Sequence, residues 1–126
     1  MNLIIGSHVS YNNKSQLLGS VKEALSYKAN TFMFYTGAPQ NTNRSVIEDS
    51  LTMEAYKLMK ENNIALEKVI VHAPYIVNLA NFNNFDFSVS FLINEVERCS
   101  TLGIKYLVLH PGSAVNCSRE EAINNI

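Results

Sequence analysis

Four short apolar runs divide the chain at nearly regular intervals: LIIG (Leu3 to Gly6), TFMFY (Thr31 to Tyr35), KVIVH (Lys68 to His72) and KYLVLH (Lys105 to His110). Each is rich in β-branched or aromatic residues, and none alternates strictly between apolar and polar. Strands buried on both faces read this way. The intervals between them carry helical spacing instead. Leu17, Val21, Ala24, Leu25 and Lys28 recur on one helical face. Ser45-Val-Ile-Glu48 has the form of a capping box, and Leu51, Ala55, Leu58 and Met59 continue an apolar stripe from it. From Asp86 to Leu102, Val89, Leu92, Ile93, Val96 and Cys99 fall on one face, with Gly103 as the expected C-terminal cap. Ser118-Arg-Glu-Glu121 opens another capping box before Ala122, Ile123 and Ile126.

The order strand–helix, four times over, predicts a parallel sheet with crossover helices, in units of roughly 30 to 40 residues. Such a chain is either a small doubly wound sheet or part of a βα-barrel. A closed barrel takes eight units and about 250 residues, whereas this chain of 126 residues holds four. The expected fold is therefore α/β with a parallel sheet, and whether that sheet is doubly wound or makes up about the first four βα units of a TIM-barrel type fold, a half barrel, stays open at this point. No linker interrupts it, so residues 1–126 are expected to belong to a single domain. The sequence ends at Ile126, inside the expected fourth helix, which leads to the expectation of a fragment or a truncated reading frame.

The three histidines bring chemistry into this frame. His8, His72 and His110 each stand at the C-terminal end of an expected strand, in GSHVS, VHAPY and LHPGS. That end is the functional face of parallel α/β folds. A single histidine there is most often a hydrogen-bonded structural residue. Three together point to a site, because imidazole is the commonest side-chain metal ligand and rigid strand ends hold it well. A catalytic metal needs further donors, and two-metal sites add carboxylates. No Asp or Glu falls at a C-terminal strand end; all lie in helical patterns, at a helix start or before the third strand. The imidazole half of a metal site is present without its carboxylate half.

The loop TGAPQNTNR, Thr36 to Arg44, presents Gln40 and Asn41 on the same face. It is either a solvated loop or a polar finger that meets a ligand or nucleic acid. Tyr75, three residues past His72, could stack on a base or pack at the barrel mouth. Pro111 and Gly112 account for the sharp turn after His110.

Composition narrows the picture in three ways. Apolar residues make up 47% of the chain, enough for a core. A formal net charge of −1 leaves no global basic footprint, so nucleic-acid contact has to use a local surface. The two cysteines, Cys99 and Cys117, have no metal-binding or disulfide spacing. No signal peptide opens the sequence, and no apolar run approaches the roughly 18 residues of a membrane span. A cytoplasmic protein with no membrane partner is expected.

GSHVS (Gly6 to Ser10), YTGAPQNT (Tyr35 to Thr42), HAPYIVNLA (His72 to Ala80) and LHPGS (Leu109 to Ser113) resemble, in order and spacing, the endonuclease IV family of apurinic/apyrimidinic endonucleases. The resemblance covers essentially the whole chain. It implies a TIM-barrel DNA-repair enzyme with three Zn2+ ions, hydrolysing the phosphodiester 5′ to an abasic site in duplex DNA. It further implies that His72 and His110 are zinc ligands, that Gln40 and Asn41 sit in the loop that enters DNA at the lesion, and that Tyr75 is an aromatic of the DNA-contacting rim. His8 is placed near the site without an assigned role. The remaining ligands of the family have no positions in this sequence, so the chain alone is expected to be inactive. Two other readings stay open: a divalent-metal sugar isomerase or epimerase barrel, and a non-catalytic remnant. The two free edges of a half barrel also predict self-association.

Overall fold

The computed structural model describes residues 3–126. Its core forms where the helical stripes meet one face of the strands. Leu17, Val21 and Ala24 of α1 (Gln16–Ser26) and Ala55 and Met59 of α2 (Asp49–Glu61) are buried together with Phe32 and Phe34 of β2 (Thr31–Phe34) and Val71 of β3 (Ile70–His72). The remaining elements are β1 (Gly6–His8), α3 (Phe85–Thr101), β4 (Tyr106–Val108) and α4 (Arg119–Asn125). The strands form one parallel sheet in the order β1-β2-β3-β4, each paired with its sequence neighbour. This is the α/β arrangement expected, four βα units of a partial TIM barrel.

Side chains alternate across each strand, and here the two faces differ. Phe32, Phe34 and Val71 are buried against the helices. On the opposite face His8, Tyr106 and Val108 are exposed, while Thr31, Met33, Ile70 and His72 are half-buried. The expectation that the strands are buried on both faces is thus corrected. A four-stranded sheet does not close on itself, and its inner face carries the more exposed side chains of the strands.

Three local expectations also change. β1 lies later than LIIG, and Leu3, Ile4 and Ile5 are exposed. The Asn30 side chain occupies the place of a strand partner there, accepting from Ile5 N at 2.7 Å and donating to the Leu3 carbonyl at 2.9 Å. Ser45 does not cap α2; the helix starts after Glu48 without a side-chain cap. On α3 the expected stripe, Cys99 excepted, is not the buried face. Ile93 and Val96 are 53% and 52% exposed, whereas Ser88, Phe91, Glu95, Arg98 and Cys99 are buried. The capping box at Ser118 does form: Glu121 N donates to Ser118 Oγ at 3.1 Å, and Ser118 N donates to Glu121 Oε2 at 2.8 Å. Gly103 ends α3 at φ +67°, the left-handed conformation of a helix C-terminal cap. No helix among the described residues is long and apolar enough to cross a membrane.

Candidate functional site at the C-terminal strand ends

His8 and His72 close β1 and β3 on the inner face, and Tyr35 follows β2 between them. The ring centroids of His8 and Tyr35 lie 4.6 Å apart, those of Tyr35 and His72 5.1 Å, and those of His8 and His72 6.4 Å. Two of the three histidines are therefore brought together across the intervening strand, with a tyrosine in contact with both. Burial, and then the neighbouring His72, hold the His8 imidazole below its ordinary pKa. His72 Nδ1 lies 2.6 Å from the Ala73 carbonyl oxygen. A carbonyl only accepts, so Nδ1 is the donor in this contact, and Nε2 is the ring nitrogen that a neutral imidazole here would offer to a metal. A carbonyl that accepts from one ring nitrogen in this way fixes the orientation of a metal-binding imidazole.

His110 is exposed beyond β4 and is not part of this ring cluster. The loop that carries it is tied to the loop after β3. Leu79 N donates to the Pro111 carbonyl at 3.1 Å, Ser113 N donates to Asn78 Oδ1 at 3.1 Å, and Asn78 Nδ2 donates to the Ser113 carbonyl at 3.1 Å. Gly112 takes φ +138°, and a Cβ there would stand 2.1 Å from Asn78 Oδ1. Only glycine fits this turn.

The loop after β2 rises beside the histidines. Gln40 and Asn41 are exposed at its apex, where Asn41 Oδ1 accepts from Asn43 N at 3.0 Å in an Asx turn. Tyr75, 61% exposed, stands on the neighbouring loop. A cavity of about 360 Å³ opens between the loop after β1 and the loop after β2, lined by His8, Ser10, Tyr11, Glu23 and Tyr35 among others.

Sequence reasoning missed two carboxylates because it assigned them to helices. Glu23 belongs to α1 yet reaches this cavity, where hydrogen bonds from Ser10 hold its carboxyl below the usual range. Glu95 of α3 is fully buried and accepts from Thr36 Oγ1 at 2.8 Å, just past β2. Neither completes a metal centre, since no three His, Cys, Asp or Glu among the described residues are placed to hold an ion. The donor set fits zinc in kind, as neutral imidazole, and falls short of the three protein ligands of a catalytic zinc.

A family model described as xylose isomerase-like TIM barrel matches residues 21–126. A protein of Acholeplasma laidlawii described as "Probable endonuclease 4" is 55% identical over 123 residues, covering 96% of this chain and 42% of its own length. One of Bacillus subtilis with the same description is 52% identical over 128 residues, covering 98% and 42%. The crystal structure of endonuclease IV from Thermus thermophilus superimposes with a TM-score of 0.76 at 26% identity, over 96% of this chain and 44% of that one. The chain thus spans less than half the length of these relatives. With a sheet of the same architecture, and a family model matching most of its length, the chain belongs to the xylose isomerase-like TIM barrel family and groups within it with endonuclease IV.

Proposed function

We propose that this chain is part of a single TIM-barrel domain of a zinc-dependent DNA-repair endonuclease, one that hydrolyses the phosphodiester 5′ to abasic sites in duplex DNA. The observation that carries the reading is His72: a strand-end imidazole whose Nδ1 is tied to Ala73 and whose Nε2 is left free on the inner face. His110, one strand further on, is the second zinc ligand in this reading. Zinc, when bound, supplies Lewis-acid stabilisation of phosphate oxygens and a lowered pKa for water. The two imidazoles alone do not complete such a centre, so the isolated chain is inactive. Gln40, Asn41 and Tyr75 are exposed on one rim. A duplex is deformed at least cost where a base is already missing, and an exposed aromatic can stack in the gap. This rim supports a preference for abasic over intact DNA. Free Cys99 and Cys117 suit a reducing cytoplasmic setting. The unpaired edges of β1 and β4 support association with a second copy.

The test is fluorescence anisotropy of the purified chain with two duplexes of one sequence, one carrying a tetrahydrofuran abasic analogue. Tighter binding to the abasic duplex is expected, weakened by Tyr75→Ala; equal affinity for both, or none, overturns the reading. The same duplexes with added zinc should stay uncut. Zinc-dependent cutting that His72→Ala abolishes would overturn the expected inactivity of the isolated chain.

A further inference from the structure

A buried polar cluster joins α3 to the loop after β2, and the chemistry at the strand ends makes no use of it. Glu95, fully buried, accepts from Arg44 Nε at 2.5 Å and from Thr36 Oγ1 at 2.8 Å. Arg98 donates from Nε to Thr36 Oγ1 at 3.0 Å, from Nη2 to the Thr36 carbonyl at 2.9 Å, and from Nη1 to the Ser45 carbonyl at 2.7 Å. Arg44 Nη1 then donates to the carbonyls of Ala38, Asn41 and Asn43 at 3.3, 3.1 and 2.8 Å. Its guanidinium carbon lies 4.8 Å from the centre of the Phe91 ring. Two arginines and one glutamate of a helix and a loop therefore hold both ends of the segment 36–45 and reach its apex from beneath.

Such a cluster is a poor device for stability alone. Buried ion pairs are costly to desolvate, and apolar residues of similar size often serve as well. Here Arg44 Nη2 has no protein partner, and neither does the buried Ser45 Oγ. What the cluster does supply is a single conformation for a loop that has no secondary structure of its own. Gln40 and Asn41 stand at the apex of that loop.

We infer that Glu95 is a positioning residue: through Arg44 and Thr36 it presets the β2 loop in the shape that presents Gln40 and Asn41 to DNA. This rests on the proposed reading of that loop as a DNA contact. Glu95 does not itself touch the substrate. Ordering the loop before binding removes an entropic cost from recognition, so loosening it weakens the abasic complex more than nonspecific contact.

The experiment compares the full chain with two variants, Glu95→Gln and the double variant Arg44→Met/Glu95→Leu. The second keeps the site filled with apolar volume, so that folding survives where the single change lowers it. Hydrogen–deuterium exchange reports the amides of residues 37–45, and anisotropy reports affinity for abasic and intact duplexes. In variants that melt cooperatively, exchange at 37–45 is expected to rise tenfold or more while α1 and α2 stay protected. The preference for abasic duplex should fall several-fold in parallel. A folded double variant with unchanged exchange at 37–45, or with faster exchange and an undiminished abasic preference, overturns the inference. A wild-type chain that shows no abasic preference overturns the reading of the loop as a DNA contact and this inference with it, while the exchange data still decide whether Glu95 orders the loop.

Discussion

The side chain of Asn78 and the backbone of Ser113 exchange two hydrogen bonds, one in each direction, across 35 residues of sequence. Asn78 Oδ1 also accepts from Ala80 N at 3.1 Å. One amide group thus fastens the loop after His72 to the loop after His110, and Gly112 leaves it the room. Asn78→Ala removes all three bonds and leaves the Ser113 amide and carbonyl to water. A loss of about 1–3 kcal/mol is expected, read as a lower urea midpoint. Asn78→Asp keeps both acceptor roles but sets a carboxylate oxygen against the Ser113 carbonyl where the donor stood, so it should lower the midpoint as well. Equal midpoints for the alanine variant and wild type would show that the clasp contributes nothing.

Thr36 is fully buried, and its hydroxyl donates to Glu95 while accepting from Arg98. Thr36→Val preserves the shape and deletes the hydroxyl. Each charged neighbour then loses a partner where water does not reach, which should cost about 1.5–3 kcal/mol. Chemical denaturation measures it. A neutral substitution would mean that Arg98 and Glu95 meet directly once the hydroxyl is gone.

How much of this was legible in the sequence depends on what each residue packs against. The order of strands and helices followed from apolar spacing, and the helices α1 and α2 bury the stripe that spacing picked out. On α3 the same method chose the wrong face. Of the stripe Val89, Leu92, Ile93, Val96 and Cys99 only Cys99 is buried, and Ser88, Phe91, Glu95 and Arg98, at helical spacing, are the other residues turned inward. Apolar periodicity cannot detect a face whose partners are the polar groups of a loop more than fifty residues earlier in the chain. The pairing of Glu95 and Arg98 three residues apart was the available signal, and Arg44 in the loop was its complement. Of the strand-end histidines, grouping by strand position brought His8 and His72 together, but the contact with Tyr35 depends on the register of β1 against β2, which the displaced start of β1 obscured.

The two thiols should differ sharply in reactivity. Cys99 is buried on α3, and burial, then the nearby Glu95 charge, push its thiol pKa from the ordinary 9.0 up to about 11. Its thiolate fraction near neutral pH is about a hundredfold below that of an ordinary cysteine. Half-buried Cys117 should react with a maleimide or disulfide reagent first, and Cys99 only on unfolding. The raised value also sets a pH dependence. The folded state holds the Cys99 proton more tightly than the unfolded chain, so this contribution to stability is complete below pH 9 and declines as pH rises toward 11. Burial raises Tyr11 and Tyr56 in the same direction. Melting temperatures followed from pH 8 to 11 should fall, and fall less steeply in Cys99→Ala. A parallel decline in both proteins would remove Cys99 as a cause.

The open surfaces of the sheet make the last prediction. β1 and β4 are edge strands with parallel hydrogen-bonding groups unpaired among the described residues, and Tyr106 and Val108 on β4 are 57% and 43% exposed on the inner face. The stripe of Val89, Leu92, Ile93 and Val96 on α3 lines a further open apolar cavity with Leu79 and Phe85. Exposed edges and apolar patches of this kind pair when a partner is present. A second copy supplies what each edge lacks, because the free edge of β4 can continue a parallel sheet into the β1 of another chain. Two copies also provide eight strands, the number of a closed barrel. Sedimentation of the purified chain at micromolar concentration should therefore show dimer. Val96→Lys combined with Tyr106→Lys places charge on both surfaces at positions already half open to water, so the fold should survive. Association should weaken tenfold or more, since burying one unpaired charge exceeds the 1.4 kcal/mol that a decade requires. A wild-type monomer across that range, melting cooperatively at high temperature, would mean that the half barrel tolerates its open edges alone.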